Sequence, residues 1–431
     1  MAAPETRNIV IIGASFGGLS IAHYFLKHIA PALKAATAAA GATYKVILLD
    51  PSTHFWWRPS APRAIADAAL MPHSKTFVPI VDGFKAYPAG SVTLLQGLAT
   101  AVDTAARTVT FQPGTDASPS HNPSSTSEKL HGQTDGASLP TEQIPYHALI
   151  LATGTSTPTA LTSLLGPHTH SIAAMDAMNA RLRTAKTVVI GGGGPVGVET
   201  AGEIGEALNG AAGWGSERPG RPQATVTLVT GGAKLLPKLR PALSDKAERY
   251  LNRVGVDVRY NTRVVSTDGG PDGPAGVKLD NGETISCDVY IPAVGAAPNT
   301  SFLPASLLSS GSRHVATNPS TLRVDAAGSG SRVYCIGDCG DYCRGGILDL
   351  YDAVPVLGAN LGADLGAGGF KARAYVDKKA ETQVVPVGRT KGVGAFNGWQ
   401  LPSMAVKMIK GKDYMTGMMP GITEGTKWTK A

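Results

Sequence analysis

Two glycine-rich segments, at 13–18 and 192–197, constrain the fold of this chain more than any other feature. Each follows a short apolar stretch, 8–12 or 187–190, and each precedes a segment with helical periodicity. Glycine at these positions lets the backbone turn tightly and approach a pyrophosphate, whose charge then meets the amide groups of a helix N-terminus. One such turn occurs in many βα loops, but two in this context predict a chain that binds two dinucleotides.

The residues around the first turn predict a βαβ unit. A buried strand at 8–13 leads into a helix at 17–29, and a strand at 44–50 follows an alanine-rich stretch at 31–41. This second strand ends in Asp50, a position from which a carboxylate accepts hydrogen bonds from ribose hydroxyls.

A second unit of the same kind starts at Thr187. Its helix is predicted from Pro195 to about Leu208, its next strand at 224–229 and its closing strand at 288–295. Strands and helices that alternate in this way indicate an α/β protein with parallel sheets.

The segments between and after these units are predicted to be smaller. Residues 91–111 alternate apolar and polar side chains, which is typical of a small antiparallel meander. Residues 112–140 are rich in Ser, Pro and Gly and predict a disordered surface loop. A short strand at 333–338 ends in another carboxylate, and 370–431 is predicted to form a separate tail.

The overall composition excludes several classes of protein. The formal net charge is +7, but no run of five or six basic residues occurs, so we expect a solvated surface and no specific nucleic-acid partner. The N-terminus resembles neither a secretory signal nor a membrane span, and Met1-Ala2 lacks the glycine needed for myristoylation. We therefore expect a cytoplasmic protein.

The cysteines are not expected to bind metal or to take part in redox chemistry. Cys335, Cys339 and Cys343 are spaced by three intervening residues, whereas metal knuckles use Cys-x2-Cys pairs. Cys335 is also predicted to lie on a strand, apart from the loop that carries the other two. No other combination of residues indicates a metal site.

Taken together, the motifs resemble those of flavoproteins with two dinucleotide-binding domains. Within that group the chain is most similar to the apoptosis-inducing-factor-like branch, which includes the ferroptosis-suppressor quinone reductases, and type II NADH dehydrogenases are related. The motifs that carry the resemblance are the two glycine turns, Ala152-Thr153-Gly154, Val294-Gly295 with Pro298-Asn299, Ile336-Gly337-Asp338, the segment 388–394 and the segment 410–413.

The resemblance implies two Rossmann-like domains and a small C-terminal α+β tail. The FAD-binding domain is discontinuous, at 1–160 and 298–368, and the NAD(P)-binding domain is inserted at 161–297. The C-terminal region is 369–431.

The resemblance also implies the residues that hold FAD. Gly13, Ser15, Gly17 and Gly18 would surround its pyrophosphate, with Ser15 in place of the usual middle glycine. The other residues implied are Asp50 at the adenosine ribose, Ala99 at the adenine, Arg63, Thr153 and Gly154 along the cofactor, and Asp338 at the ribityl chain.

At the second nucleotide, the resemblance implies that Gly192, Gly194 and Gly197 cradle the pyrophosphate of NADH or NADPH. Glu199, near the start of the following helix, and Lys410 would lie near the nicotinamide and the flavin. We interpret this pair as the residues that align the nicotinamide and bias the charge at the flavin, while hydride transfer is the chemistry of the cofactors.

The choice between NADH and NADPH is left open by the second unit. Its strand ends in Val229-Thr230-Gly231-Gly232, without a carboxylate for a ribose 2′-hydroxyl. Lys234 and Lys238 follow and would either meet a 2′-phosphate or lie on the surface. We expect both nucleotides to be used.

The resemblance implies an FAD-dependent NAD(P)H oxidoreductase that passes hydride to FAD and then electrons to a quinone-type acceptor. Two alternatives stay open: a biosynthetic or detoxifying flavin reductase or oxidase acting on another aromatic compound, and a redox-sensing interaction protein with slow turnover.

The tail carries several methionines among Lys407, Lys410 and Lys412, which predicts either a packed helix or peripheral membrane contact. The aromatic segment 54–58 is predicted to pack a loop, with substrate contact as the alternative.

Overall fold

The computed structural model describes residues 5–36, 42–114, 140–268, 275–328, 330–342, 345–378 and 380–431. Its strands, in chain order, are β1 (Thr6–Ile12), β2 (Thr43–Asp50), β3 (His54–Trp56), β4 (Phe77–Pro79), β5 (Val92–Asp103), β6 (Thr108–Pro113), β7 (Glu142–Pro145), β8 (Ala148–Leu151), β9 (Thr155–Ser156), β10 (Thr187–Gly191), β11 (Thr225–Val229), β12 (Val256–Arg259), β13 (Val264–Asp268), β14 (Ala275–Leu279), β15 (Thr284–Cys287), β16 (Val289–Pro292), β17 (Ala297–Pro298), β18 (Val333–Cys335), β19 (Gln383–Val387), β20 (Lys391–Phe396) and β21 (Trp399–Gln400).

The α-helices, in chain order, are α1 (Phe16–Tyr24), α2 (Ala30–Ala36), α3 (Ala61–Ala66), α4 (His168–Leu182), α5 (Pro195–Asn209), α6 (Pro241–Asn252), α7 (Ile347–Asp364), α8 (Ser403–Val406) and α9 (Met419–Thr423). Two π-helical turns, Phe25–Ile29 and Lys407–Gly411, continue α1 and α8. The helix predicted at 17–29 is therefore an α-helix that changes to a π-helix after Tyr24.

The larger sheet has the strand order β18-β8-β1-β2-β5-β6-β7. Neighbouring strands from β18 to β5 run parallel, because helices and long connections return the chain to the same edge. Strand β18 belongs to this sheet although the strands of the smaller parallel sheet precede it in the sequence. The larger sheet is therefore built from two separate chain segments.

The smaller parallel sheet has the order β12-β11-β10-β16 and lies between those two segments in the sequence. Its strands are short, and their aliphatic side chains are buried, for example Ile190, Leu228 and Ile291. The predicted α/β class, with one Rossmann-like unit inserted into another, is confirmed. The residue limits of the domains stay a prediction.

The meander predicted at 91–111 is wrong in one respect. Strand β5 pairs parallel with β2, from Val46 opposite Val92 to Asp50 opposite Gln96, and so belongs to the main sheet. Its second half then pairs antiparallel with β6, and β6 with β7. Alternating polarity cannot reveal this double pairing, because it reports only that one face of a strand is buried. Of the loop predicted at 112–140, residues 115–139 lie outside the described residues.

The C-terminal region is not a separate tail. Its sheet, β19-β20-β21, shares a hydrophobic core with the smaller parallel sheet through Val385, Val387 and Val393. At the other end, Ile422 and Trp428 belong to the core of the larger sheet. Buried His23 of α1 accepts or donates a hydrogen bond at Thr423 O, 2.9 Å away.

Helix α5 and strand β19 approach each other at a glycine. A Cβ atom on Gly202 would lie 2.8 Å from the backbone nitrogen of Gly388 and 2.9 Å from the Cα of Val387. Because both neighbouring atoms are backbone, they cannot move aside without moving the strand.

We expect Gly202→Ala to lower the free energy of unfolding by about 1–3 kcal/mol, the usual cost of overpacking. At an ordinary helix position the same change would stabilise by about 1 kcal/mol. Chemical unfolding followed by circular dichroism measures the difference. Gly213→Ala is the control, since no atom lies within 4 Å of the Cβ it would add. An unchanged or increased stability of Gly202→Ala would contradict the close contact.

Candidate functional site

The first glycine turn is packed so tightly that side chains are excluded from two positions. Gly13 has a φ of +101°, and a Cβ there would lie 2.4 Å from the carbonyl oxygen of Ala152. A Cβ on Gly18 would lie 1.8 Å from the carbonyl oxygen of Gly13. Helix α1 therefore begins directly against the end of β1, which brings its N-terminal amides to the turn.

A cavity of about 320 Å³ opens at this turn. Of the predicted FAD residues, the cavity is lined by Gly13, Ser15, Asp50, Ala99 and Thr153. The structure thus brings together residues from β1, β2, β5 and the segment after β8, at the carboxyl edge of the parallel strands where α/β proteins bind ligands. Gly17, Gly18, Arg63, Gly154 and Asp338 are not part of this lining.

Asp50 is fixed by backbone donors on both oxygens. Ala14 N donates to its Oδ2 at 2.7 Å and Ser52 N to its Oδ1 at 2.8 Å. Burial raises the pKa of Asp50 to about 6, although both hydrogen bonds act in the opposite direction. The carboxylate is held at the turn, where it can accept from ribose hydroxyls.

Hydrogen bonds hold three further predicted FAD residues in place: Thr153, Gly154 and Asp338. The Thr153 hydroxyl donates to Asn299 O at 2.8 Å, and Asn299 N donates to Gly154 O at 3.0 Å, which joins the two chain segments of the larger sheet. Asp338 Oδ1 accepts from Gly346 N at 2.9 Å, just before α7 begins. Its side chain is exposed, so the second carboxylate oxygen can face a polyol.

Arg58 is a cavity residue that the sequence analysis did not assign. It donates to the carbonyl oxygens of Thr155 and Thr162, both at 3.1 Å. Burial lowers the pKa of its guanidinium, against the effect of the nearby charge of Asp338. The one signal in the sequence was its place in the aromatic segment 54–58, whose Phe55, Trp56 and Trp57 are buried and pack the loop.

These features fit a flavin dinucleotide. The helix N-terminus and Arg58 supply donors for phosphates, Asp50 supplies acceptors for a ribose, and the rest of the lining is largely apolar, including Leu98, Ala99 and Phe302.

The second turn repeats the geometry of the first. Gly192 has a φ of +123°, and a Cβ there would lie 2.3 Å from the carbonyl oxygen of Ala293. A Cβ on Gly197 would lie 1.8 Å from the carbonyl oxygen of Gly192. Gly194 is the N-cap of α5 and has open space around it, so the helix N-terminus is accessible to a pyrophosphate.

The structure brings Glu199 and Lys410 into contact. Lys410 Nζ lies 2.5 Å from Glu199 Oε1, and the side chains are 13% and 3% exposed. Burial raises the pKa of Glu199 to about 7, and the charge of Lys410 reduces that rise. Lys410 belongs to the π-helical turn that continues α8, a type of turn that is frequent at functional sites.

Arg63 lies behind this pair. Its Nε and one terminal nitrogen donate to the two carboxylate oxygens of Glu203, at 3.0 and 2.8 Å. Its terminal nitrogens also donate to the carbonyl oxygens of Gly411 and Lys412, each at 2.8 Å. The Tyr414 hydroxyl donates to Glu203 Oε1 at 3.0 Å. Arg63 therefore holds the end of the turn that carries Lys410. The resemblance had placed Arg63 along FAD instead.

Two of the cysteines are closer together than expected. Cys335 Sγ and Cys339 Sγ lie 3.6 Å apart, and both residues are buried as free thiols. The turn after β18 folds back on the strand, so the expectation that Cys335 lies apart is wrong. Cys343 lies outside the described residues. Nowhere in the described ranges do three or more His, Cys, Asp or Glu side chains gather in an arrangement that could hold a metal ion.

Residues 7–354 match the family of pyridine nucleotide-disulphide oxidoreductases. The chain belongs to this family. It is 38% identical to oxidoreductase phnG of Penicillium herquei, over 99% of this chain and 98% of phnG. It is 25% identical to human ferroptosis suppressor protein 1, over 94% of this chain and 93% of that protein. Among solved structures, it resembles the sulfide:quinone oxidoreductase of Aquifex aeolicus with a TM-score of 0.69 and 13% identity, over 97% and 92% of the two chains.

Membership of this family confirms the fold and the two cofactors, FAD and NAD(P)H. The protein is an NAD(P)H-dependent flavin oxidoreductase. The roles of individual residues stay predictions that rest on the geometry described above.

Adjacent glycines of the first turn allow a matched test of the FAD site. We expect Gly18→Ala to lose bound FAD, because the added Cβ would collide with the Gly13 carbonyl oxygen. Gly17→Ala should keep FAD, since its Cβ would lie 3.3 Å from Cγ2 of Ile336, a side chain that can shift slightly. The ratio of flavin to protein absorbance after gel filtration measures both. Equal retention of FAD by the two variants would contradict the predicted role of this turn in binding the FAD pyrophosphate.

Removal of Arg63 should be strongly destabilising. In Arg63→Ala the Glu203 carboxylate stays buried without its cation, which typically costs about 3–5 kcal/mol. Arg259→Ala is the control: Arg259 pairs with Glu283 at 2.7 Å, and the two side chains are 45% and 46% exposed, so we expect a loss of about 1 kcal/mol or less. Thermal or chemical unfolding compares the two. Similar losses of stability in both variants would show that burial of the Arg63–Glu203 pair does not increase the cost of removing the arginine.

Proposed function

We propose that this protein oxidises NADH or NADPH and reduces a quinone-type acceptor. Bound FAD supplies the redox chemistry that joins the two half-reactions. The observation that carries the proposal is the Glu199–Lys410 pair, which joins the helix that follows the NAD(P) turn to a C-terminal segment with exposed apolar side chains.

Glu199 is well placed on its helix to act near the nicotinamide. It lies in the second turn of α5, whose N-terminus forms the pyrophosphate cradle at Gly194 and Gly197. Glycines at this N-terminus would hold the pyrophosphate, and Glu199 would then face the nicotinamide end of the nucleotide. Lys410, from the C-terminal region, supplies the positive charge.

The apolar surface belongs to the same segment as Lys410. Met404, Met408 and Ile409 are 65%, 72% and 44% exposed, although each is a large apolar side chain. Contiguous exposed apolar side chains in a soluble fold mark sites for apolar ligands or partners. Methionine is flexible and polarisable, which suits a ring or isoprenoid tail of variable shape.

Oxidation of NAD(P)H supplies a hydride, that is, two electrons and one proton, so reduction of a quinone to a quinol takes up one further proton. Because the pKa of Glu199 is raised to about 7, a large fraction of this carboxyl group carries a proton at neutral pH. Glu199 can therefore donate a proton to an acceptor oxygen, and Lys410 can stabilise the negative charge that develops there.

The same surface supports peripheral contact with a membrane. Lys407 lies between the exposed Met404 and Met408 and Lys412 follows them, an arrangement that combines apolar burial with attraction to anionic headgroups. In the part of the chain that the structure describes, no helix is both long and apolar enough to cross a bilayer.

A second candidate is reduction of another aromatic compound at the same surface. The observation in its favour is that the identity to oxidoreductase phnG, 38%, exceeds the 25% identity to human ferroptosis suppressor protein 1. The name of the more similar relative specifies no acceptor.

The test of the proposal is oxidation of NADH and NADPH by the FAD-loaded protein, with and without a short-chain ubiquinone analogue. We expect fast turnover only when the quinone is present. Prompt bleaching of the flavin absorbance by either nucleotide, without quinone-dependent turnover, would retain the oxidoreductase and overturn the quinone acceptor. Absence of bleaching by both nucleotides would overturn the proposal as a whole.

Glu199→Gln should alter the pH dependence of quinone reduction. The raised pKa means that the carboxyl group is protonated below about pH 7, so wild-type turnover with quinone should fall as the pH rises through that value. In Glu199→Gln we expect turnover lower by roughly 10²-fold, the low end for loss of a general acid, and nearly constant between about pH 6 and 8.

Glu283→Gln is the control for this change, because Glu283 is an exposed carboxylate paired with Arg259. It should keep the wild-type rate and pH profile. An unchanged profile in Glu199→Gln would exclude Glu199 as the proton donor.

A further inference from the structure

The two nucleotide-binding units can be aligned residue by residue through one hydrogen bond. In the first unit, Gly13 N donates to Leu49 O at 2.8 Å. In the second, Gly192 N donates to Val229 O at 2.7 Å. The residue after each acceptor therefore occupies the same place at the end of its strand, and Asp50 corresponds to Thr230.

Thr230 also lies against its glycine turn, as Asp50 does. Asp50 accepts a hydrogen bond from Ala14 N, the residue after the first glycine of its turn. In the second unit the corresponding residue is Gly193, and a Cβ there would lie 2.5 Å from Thr230 Oγ1. The Thr230 hydroxyl thus lies against the turn where the first unit has a carboxylate.

This exchange changes the charge beside the adenosine ribose. A carboxylate at the strand end accepts from a ribose 2′-hydroxyl and repels a 2′-phosphate. A neutral threonine removes the repulsion. It does not by itself attract a phosphate, so a cation is needed for a preference.

Arg263 supplies a cation at this position. A Cβ on Gly231, the residue after Thr230, would lie 2.5 Å from Cγ and 2.8 Å from Nε of Arg263. The arginine side chain therefore lies across the α-carbon of Gly231, in the space that any larger residue at 231 would fill. Arg263 is exposed, and no carboxylate of the described residues forms an ion pair with its guanidinium.

The backbone beneath Arg263 is held in place on both sides. Thr262 N donates to Thr230 O at 3.0 Å, which ties the segment to the end of β11. Arg263 N donates to Asp280 Oδ1 at 3.0 Å, and Asp280 N donates to Arg263 O at 2.9 Å. Lys234, one of the two lysines that would either meet a 2′-phosphate or lie on the surface, donates from Nζ to Leu239 O at 2.6 Å.

We propose that Arg263, together with the uncharged strand end at Thr230 and Gly231, recognises the 2′-phosphate of NADPH and makes NADPH the preferred nucleotide. The planar guanidinium suits a phosphate because it can donate two parallel N–H bonds to it. This inference rests on nucleotide binding at the second turn and does not depend on the identity of the electron acceptor.

The test measures binding by calorimetry, without turnover, using adenosine 2′,5′-bisphosphate and adenosine 5′-monophosphate. The wild-type protein should bind the bisphosphate at least about tenfold more tightly, a difference of about 1.4 kcal/mol. Arg263→Ala should lose this factor and bind the monophosphate as before. Thr230→Asp gives the second unit the carboxylate that the first unit carries at this position, and it should also lose the preference for the bisphosphate.

Arg259→Ala is the matched control. Arg259 ends the neighbouring strand β12, but its side chain is engaged with Glu283 at 2.7 Å, so its removal should leave both affinities unchanged. The ratio of kcat/KM for NADPH and NADH should follow the binding data in every variant that turns over.

Two results would overturn the inference. One is equal wild-type affinity for the two probes, and the other is an equal loss of both affinities in Arg263→Ala. If quinone is not reduced but the bisphosphate preference depends on Arg263, the proposed acceptor fails and this inference stands.

Discussion

A row of buried carboxylates on helix α5 links the three parts of this molecule. Glu199, Glu203 and Glu206 lie one helical turn apart on the same face and are 2%, 4% and 7% exposed. A buried charge is strongly unfavourable unless it is paired. Each carboxylate meets a cation from elsewhere in the chain: Lys410 and Arg389 from the C-terminal region and Arg63 from α3. The helix can therefore be buried only when these segments are in place.

Arg63 extends this dependence to the reactive pair. It grips the carbonyl oxygens at the end of the π-helical turn that presents Lys410, and its guanidinium also stacks over Tyr414 at 4.8 Å. Trp57, next to the cavity residue Arg58, donates from its indole nitrogen to Tyr414 O at 2.7 Å. The loop at the flavin cavity and the segment that carries Lys410 are thus joined by direct hydrogen bonds, which sets the position of one site relative to the other.

The two glycine turns show how one geometry can serve two ligands. In both, a glycine with positive φ lies against the carbonyl of a neighbouring strand, and the helix glycine five residues later packs on the first. The difference lies at the end of the next strand, where one unit has a carboxylate and the other a threonine followed by glycine. The shared part positions a pyrophosphate, and the variable part distinguishes the sugar attached to it.

Much of this arrangement was determined by the sequence alone. The apolar strands, the glycine turns and Asp50 follow from local rules, because each depends on neighbours within one βαβ unit. The Glu199–Lys410 contact was also predicted, though from the family resemblance rather than from the residues themselves. The double pairing of β5 and the change from α- to π-helix after Tyr24 were not predicted, because periodicity reports burial and not the partner strand or the helix type.

Only the tertiary structure decided which distant charges meet. The resemblance assigned Arg63 to FAD and gave no role to Arg58, five residues earlier, yet Arg63 binds Glu203 and Arg58 lines the cavity. Arg263 gave no signal either, since its approach to Gly231 depends on the packing of one strand end on another. The residues of these ion pairs are far apart in the sequence, and nothing in the local pattern indicates which of them meet. The sequence pattern therefore specifies each βαβ unit, whereas the packing of the units in the folded protein determines which charged side chains pair.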